Sequence, residues 1–476
     1  MPLNTSVLLP EILLAVAGIL LMLAIPVLPS RQQVRLGYAA SLILAAALVT
    51  ALLQWGDHGP AFFGMVSMDA LGGAARILFL VSSATVALIS VSYLKRERLR
   101  HGEYFPLLLM ATVGMSLMAV SADLIMTFLG LEILSISSYV LAGYRRGDPR
   151  SNESALKYFL LGAFSTAFML YGIALLYGAA GSTKYAAITE AAAQGQAGTA
   201  TFLLGLGLLL VGFGFKAALA PLHVWTPDVY QGAPVPITAH LAVGSKAAVL
   251  ITLLRLLHQV LPASADQWQV LLWIACAATM IIGNVAALIQ TDVKRLLAYS
   301  SIAHAGYILL GVVANSPRGG QGVLFYLAAY SLMTLGAFAV VQVFARRDEQ
   351  FTKLEDYRGI GYRHPLLSVS LTVFLLSLIG IPPTAGFYGK LFLFSAAVEA
   401  DLVALVILAV LASAVGLYYY LQIIVLMFMK EAVSPPAPVP VPLAARIVII
   451  IMAAGTLFLG VYPAQVLSIA GEAAGL

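Results

Sequence analysis

The sequence predicts an all-α polytopic membrane protein of about fourteen transmembrane helices, arranged as two inverted five-helix repeats. Three observations predict it. The 476 residues are 61% hydrophobic and only 10% charged, with a mean hydropathy of +0.95, whereas soluble domains carry about 25% charged residues. The apolar residues fall into about fourteen stretches, each close to the ~20 residues that cross a bilayer as a helix. Two of these stretches are interrupted by proline and glycine, five spans apart.

In order, the stretches run approximately 7–28, 36–55, 75–93, 104–121, 123–143, 153–178, 200–222, 236–258, 269–290, 296–314, 320–345, 364–395, 402–429 and 443–465, numbered spans 1 to 14. Span 1 is expected to be a retained helix, because the first basic residue is Arg31 and the stretch is too long for a cleaved signal. No polar stretch of 30 residues interrupts the series, so no soluble domain is expected. The single cysteine, Cys276, lies within span 9, which excludes internal disulfides and iron–sulfur ligation in this chain.

Charge placement sets the expected orientation. With the N-terminus outside, the inner loops hold 18 of the 26 basic residues, from Arg31, Arg35 and Lys95 through Arg100 and Arg145 to Lys430 and Arg446. The outer side receives Arg76, Lys184, Arg255 and Arg318. This positive-inside bias puts both termini on the periplasmic side. The basic clusters are expected to be solvated loop charges, and no motif supports nucleic-acid binding.

The first interrupted stretch is GFGFKAALAPLHVWTPDVYQGAPVP (212–236) in span 7, and the second is LIGIPPTAGFYGK (378–390) in span 12. Proline removes a donor and breaks the helix, and such backbone is tolerated at membrane depth only when protein or a water-filled cavity covers it. Paired interruptions point to a transport site built from internal repeats. A five-span unit is odd, so consecutive copies must be inverted. The expected units are flanking spans 1–3 (residues 1–100), a first repeat of spans 4–8 (101–262), an inverted second repeat of spans 9–13 (263–432) and span 14 (433–476).

Four lysines lie inside otherwise apolar segments: Lys157, Lys216, Lys246 and Lys390, joined by one carboxylate, Glu132. Ionisable groups in hydrocarbon mark a functional site by default, and this set suggests a track for moving charge. Lysine suits it because its proton affinity responds to burial, whereas arginine stays charged. Snorkelling to water competes as a reading for Lys157. His304, midway along span 10, is a candidate relay, since imidazole exchanges protons near neutral pH; a packing histidine is the alternative. His223, Asp228 and His240 are expected to satisfy open backbone or line the inner entrance. Metal binding has no spacing to support it. The glycines of GLGLLLVGFG (205–214) suggest close helix packing, the tyrosines at 418–420 packing or an interface belt, and SPPAPVPVP (434–442) a stiff linker.

The 212–236 segment, SKAAVL (245–250), DVKRLLAYSSIAHAGYILLG (292–311) and GIPPTAGFYGKLFLF (380–394) resemble the antiporter-like subunits of respiratory complex I, most closely the N (subunit 2) type. The likeness extends from LPEILL at 9–14 to the last span. The PDVYQGAP form favours the N type over the L and M types, and no lateral helix of the L type follows. The resemblance implies a membrane-arm subunit of proton-translocating NADH:quinone oxidoreductase in a bacterial inner membrane, forming one proton channel. It implies a Glu132–Lys216 pair modulated by Lys157, Lys246 as central relay and Lys390 as exit. It further implies that FMN, iron–sulfur clusters and quinone belong to partner subunits, and that the neighbours are the M subunit, the small K and J subunits and the lateral helix of L. Two alternatives are a subunit of a multisubunit cation/proton antiporter or membrane-bound hydrogenase, and an assembly subunit with an inactive channel.

Overall fold

The computed structural model describes residues 5–56, 59–99, 101–432 and 440–475. Most of the 434–442 linker and Arg100 lie outside the described residues. The chain is almost wholly helical. The first group of elements is α1 (Leu9–Ala24), α2 (Ser30–Gln33), α3 (Leu36–Leu53), a short hairpin of β1 (Gly59–Ala61) and β2 (Val66–Met68), and α4 (Ala70–Arg96). There follow α5 (Tyr104–Ala119), α6 (Leu124–Ala142), α7 (Pro149–Ala180), α8 (Tyr185–Ala193), α9 (Ala200–Ala217), α10 (Trp225–Gly232), α11 (Val235–His240) and α12 (Lys246–Arg255). The last group is α13 (Ala265–Ala287), α14 (Val293–Val313), α15 (Pro317–Phe344), α16 (Pro365–Ile379), α17 (Ala385–Glu399), α18 (Val403–Met429), α19 (Leu443–Val461) and α20 (Ala464–Ala474).

Among the described residues, twelve helical runs are long and apolar enough to cross a membrane. Two shorter apolar helices, α5 and α16, stand where spans 4 and 12 are expected. Span 12, expected as one stretch over 364–395, is two helices, α16 and α17, because Gly380 and the prolines that follow cannot continue the turn. The hairpin, α8 and α20 were not anticipated; each is too short to register as an apolar span.

Local chemistry sets the helix starts. Asp69, Asp123, Asp148, Thr199, Asp292 and Ser316 each cap a helix by accepting from a backbone N–H of its first turn. Such caps replace hydrogen bonds the first turn lacks and contribute about 1 kcal/mol each. Small residues then allow close approach. A Cβ on Gly172 would stand 2.7 Å from the Gly205 carbonyl, so α7 and α9 pack backbone to backbone.

The most enclosed spans are the run Val235–Val260, α14 and α15, with 100%, 94% and 89% of their central windows buried, against 28% for the first span. These three carry Lys246, His304 and a row of tyrosines, so the polar residues of the bundle lie at its centre.

One joint occurs twice. Leu124 N donates to Thr183 O (2.9 Å) and the Thr183 hydroxyl to Asp123 Oδ2 (2.9 Å). Val293 N donates to Thr352 O (2.7 Å) and the Thr352 hydroxyl to Asp292 Oδ2 (2.6 Å). The two joints are separated by the same length of chain (123 to 292, 183 to 352), and each threonine is followed by lysine. A cavity of about 500 Å³ is lined by Arg145 and Asp148, just beyond the end of α6, and by Asp292 and Lys294 at the start of α14. Equivalent helices therefore run in opposite directions, as an inverted repeat requires.

The sequence placed only lysines among the buried cations, and the structure adds arginines. Arg76, placed on the outer side from sequence, is fully buried within α4, its Nε 2.7 Å from Glu11 Oε1 on α1. Buried Arg255 grips Asp69 with two bonds of 2.6 Å. Glu349, in the loop after α15, receives Lys294 (2.6 Å), the Tyr93 hydroxyl (2.6 Å) and Val235 N (3.1 Å), with Arg145 at 3.4 Å. It ties α4, α6, α11 and α14 together beside the cavity. Burial pushes the Glu349 carboxyl up, but Lys294 and Arg145 outweigh this and hold it below its ordinary value of 4.5.

Two outcomes follow. Removing one member of a buried ion pair strands the other at a cost of about 3–5 kcal/mol, whereas replacing both by apolar residues is near neutral. Thermal unfolding in detergent should therefore show Glu11→Leu and Arg76→Leu each strongly destabilised and the double variant largely restored. A carboxyl with a depressed folded pKa adds stability that is complete above its unfolded value and lost as pH falls through the folded one. Tm should thus drop below about pH 5, and Glu349→Gln should start lower at neutral pH and lack that part of the acid loss.

Candidate functional site

α9 is capped by Ala218, whose φ of +61° is left-handed and unusual for a residue with a Cβ. The open backbone beyond it is satisfied by protein: Trp225 Nε1 donates to Phe215 O (2.9 Å) and Ala220 N to the Thr279 hydroxyl (2.8 Å). Lys216 sits in the last turn of α9 and is buried. Its amine donates to the Tyr158 hydroxyl (2.8 Å) and lies 4.7 and 5.1 Å from the ring centroids of Tyr158 and Tyr139. Tyr158 stacks on Trp225 at 4.5 Å, which fixes the phenol facing the amine.

Glu132, half-buried on α6, has one carboxylate oxygen buried without a hydrogen-bond partner among the described residues. It lies within electrostatic reach of Lys216, but the expected pair is not closed: Glu132 Oε1 has no hydrogen-bond partner among the described residues, and the Lys216 amine donates to Tyr158. Lys157, counted among the buried lysines from sequence, is instead at the rim. Its side chain is 41% exposed and pairs with Asp228 (2.6 Å) and Glu153 (2.7 Å). Asp228 also accepts from Arg295 (2.6 Å), so it braces the mouth of the broken span.

Between α11 and α12 the chain makes a π-helical turn, Leu241–Ser245, and Lys246 follows it directly. A π turn inserts a residue and re-aims what comes next. Lys246 donates to the Ser301 hydroxyl on α14 (2.7 Å), which also accepts from Tyr330 of α15 (2.9 Å). The Tyr330 ring is 5.2 Å from that of His304. His304 Nδ1 meets the Tyr326 hydroxyl at 2.6 Å and Nε2 the Tyr420 hydroxyl at 3.1 Å, and Tyr420 in turn bonds Ser300. Tyr420, grouped with packing residues from sequence, belongs to this network.

Beyond His304, Tyr307 stands 5.6 Å away, ring to ring, and Lys390 lies 4.9 Å from the Tyr307 centroid. The Lys390 amine donates to Ile379 O (2.8 Å), Leu378 O (3.1 Å) and the Ser413 hydroxyl (2.7 Å). The two carbonyls are free ends of α16, so the amine caps the half-helix where its dipole is negative. Gly380 is required here twice: its φ is +92°, and a Cβ would stand 3.1 Å from Lys390 Cδ.

The structure thus lines up Lys246, His304 and Lys390 along one row of serine, tyrosine and histidine side chains, hydrogen-bonded from Lys246 to Tyr330 and in ring contact beyond it. It holds Lys216 against Tyr158 and leaves Lys157 partly exposed, paired with Asp228 and Glu153. Missing from the sequence reading are Tyr158, Ser301, Tyr307, Tyr326, Tyr330, Ser413 and Tyr420. A partial signal existed: Ser300, Ser301, His304 and Tyr307 recur at helical spacing on α14, as do Tyr326 and Tyr330 on α15.

Residues 121–416 match the family described as NADH:quinone oxidoreductase/Mrp antiporter, transmembrane. NADH-quinone oxidoreductase subunit N of Trichlorobacter lovleyi is 44% identical over 474 residues, covering 99% of this chain and 97% of the relative. A chain of respiratory complex I from Thermus thermophilus with bound aureothin superimposes with a TM-score of 0.82 at 39% identity, covering 97% of this chain and 99% of that one. A chain of the Mrp complex from Dietzia sp. DQ12-45-1b shares the fold, with a TM-score of 0.86 at 21% identity over 99% of this chain and 97% of that one. This chain therefore belongs to the NADH:quinone oxidoreductase/Mrp antiporter transmembrane family and, within it, to the NADH-quinone oxidoreductase subunit N group.

Proposed function

We propose that the chain is a membrane-arm subunit of a proton-translocating NADH:quinone oxidoreductase and provides one proton path through the bilayer. The observation that carries this reading is the run of side chains from Lys246 through Ser301, Tyr330, His304 and Tyr307, all on the most enclosed helices of the bundle, to Lys390 on α17. Hydroxyls and imidazole both accept and donate, so such a series supports stepwise proton transfer. FMN, iron–sulfur clusters and quinone are assigned to partner subunits. Those partners are the neighbouring M subunit, the small K and J subunits and the lateral helix of L.

The face bearing the cavity and most basic residues is taken as cytoplasmic by the positive-inside bias, with both termini on the other side of a bacterial inner membrane. A proton enters there and loads Lys216 or Lys246. Lys216 exchanges between the Tyr158 hydroxyl, which leaves it free to release its proton, and the Glu132 carboxylate, which holds the proton on. This exchange is the switch that partner subunits drive. His304 and Lys390 then carry the proton to the opposite side, while Lys157 tunes the entrance through Asp228. The repeats are assigned to residues 101–262 and 263–432, flanked by 1–100 and 433–476. Full-length identity to N subunits favours this over the antiporter alternative, because the fold itself is common to both.

In inside-out vesicles carrying the assembled complex, Lys216→Ala, Lys246→Ala and Glu132→Ala should each lower NADH-driven proton uptake by about tenfold or more. Uptake is normalised to the reduction of an artificial acceptor, which counts assembled enzyme. Wild-type uptake in all three variants would remove the proposal.

A further inference from the structure

His240 on α11 and His304 on α14 are equally buried, at 1% exposure, yet their surroundings differ. Both ring nitrogens of His304 meet tyrosine hydroxyls. Neither ring nitrogen of His240 has a hydrogen-bond partner among the described residues. Leaving a buried polar group unpaired costs about 1–3 kcal/mol, so an imidazole in such a place calls for a partner of another kind.

It is not alone. Glu132 Oε1 and Ser135 Oγ on α6, and Thr226 Oγ1 and the Tyr230 hydroxyl on α10, are also buried without hydrogen-bond partners among the described residues. α11 packs against both α6 and α10. Polar atoms on the two helices that touch α11 are the kind of partner an internal water needs, two to four of them. The repeat adds a second argument. Glu132 and Ser135 stand as far beyond Asp123 as Ser301 and His304 stand beyond Asp292. Where the second half has an imidazole on this helix, the first half has serine, and serine does not titrate near neutral pH. The ring of His240 also lies within electrostatic reach of Lys216, and the π turn leads directly from it to Lys246.

We propose that His240 is the proton-transferring imidazole of the first half, set in a water-holding chamber between α6, α10 and α11, and that it passes protons between Lys216 and Lys246. One ring nitrogen accepts a proton from water on the Lys216 side while the other releases its own toward Lys246. The ring ends neutral in the opposite tautomer, so one proton enters and one leaves. This rests on the proton path proposed above.

The test uses the assembled complex in inside-out vesicles, comparing His240→Phe, which removes the titratable group but keeps a ring, with His240→Glu and Lys216→Ala. NADH-driven proton uptake per assembled enzyme should fall by about tenfold in His240→Phe and recover in part in His240→Glu, a rescue that a packing role would not produce. Full uptake in His240→Phe alongside loss in Lys216→Ala overturns the role of His240 and leaves the path intact. Full uptake in both overturns the path and this role with it. Should His240→Phe fail to assemble, a structure of the wild-type complex that shows ordered water decides. Water bonded to a His240 ring nitrogen supports the chamber, and dry apolar packing against both nitrogens overturns it.

Discussion

A cationic side chain held inside a lipid-spanning bundle must replace its lost water with other ligands, and the choice of ligand divides the buried cations named above into two classes. Arg76, Arg255 and Lys294 are each matched to a carboxylate: Glu11, Asp69 and Glu349. A buried ion pair of that kind is costly to open, so these three hold helices together. Lys216, Lys246 and Lys390 are bonded to a phenol, a serine, and a serine with two helix-end carbonyls. Neutral ligands solvate the proton without pinning it, and these three are the cations that line the candidate path.

The breaks in α9–α10 and α16–α17 follow from the same constraint. A helix that stops at membrane depth exposes carbonyls with no partner. At the second break those carbonyls become ligands for Lys390. At the first, Trp225 and Thr279 close the open backbone and Trp225 also stacks on the phenol that holds Lys216. The interruption and the lysine therefore serve each other: one supplies lone pairs or a braced aromatic wall, and the other removes a buried electrostatic defect.

The joint at Asp123–Thr183 recurs at Asp292–Thr352 with the same two hydrogen bonds. An aspartate that caps its own helix and accepts a threonine hydroxyl from a neighbouring loop fixes the start of that helix. Beyond the joints, α6 and α14 carry different side chains at matching distances from the capping aspartate. Glu132 and Ser135 occupy one half, and Ser301 and His304 the other.

The membrane class, most of the helices and the two interruptions were legible in the sequence because they depend on local chemistry. Transfer of a run of apolar side chains into lipid needs no partner, and proline and glycine act on their own turn. Lys216, Lys246 and Lys390 were legible for the same reason. Only the tertiary structure decided that Lys157 is partly exposed, that Arg76 is buried against Glu11, that Glu132 and Lys216 stand apart, and that Tyr158, Ser301 and Tyr420 bond Lys216, Lys246 and His304. Each of these depends on helices far apart in the chain meeting face to face. Between lipid and bundle interior there is little difference in apolarity to mark which face turns inward, so hydropathy names the spans and leaves their contacts to packing.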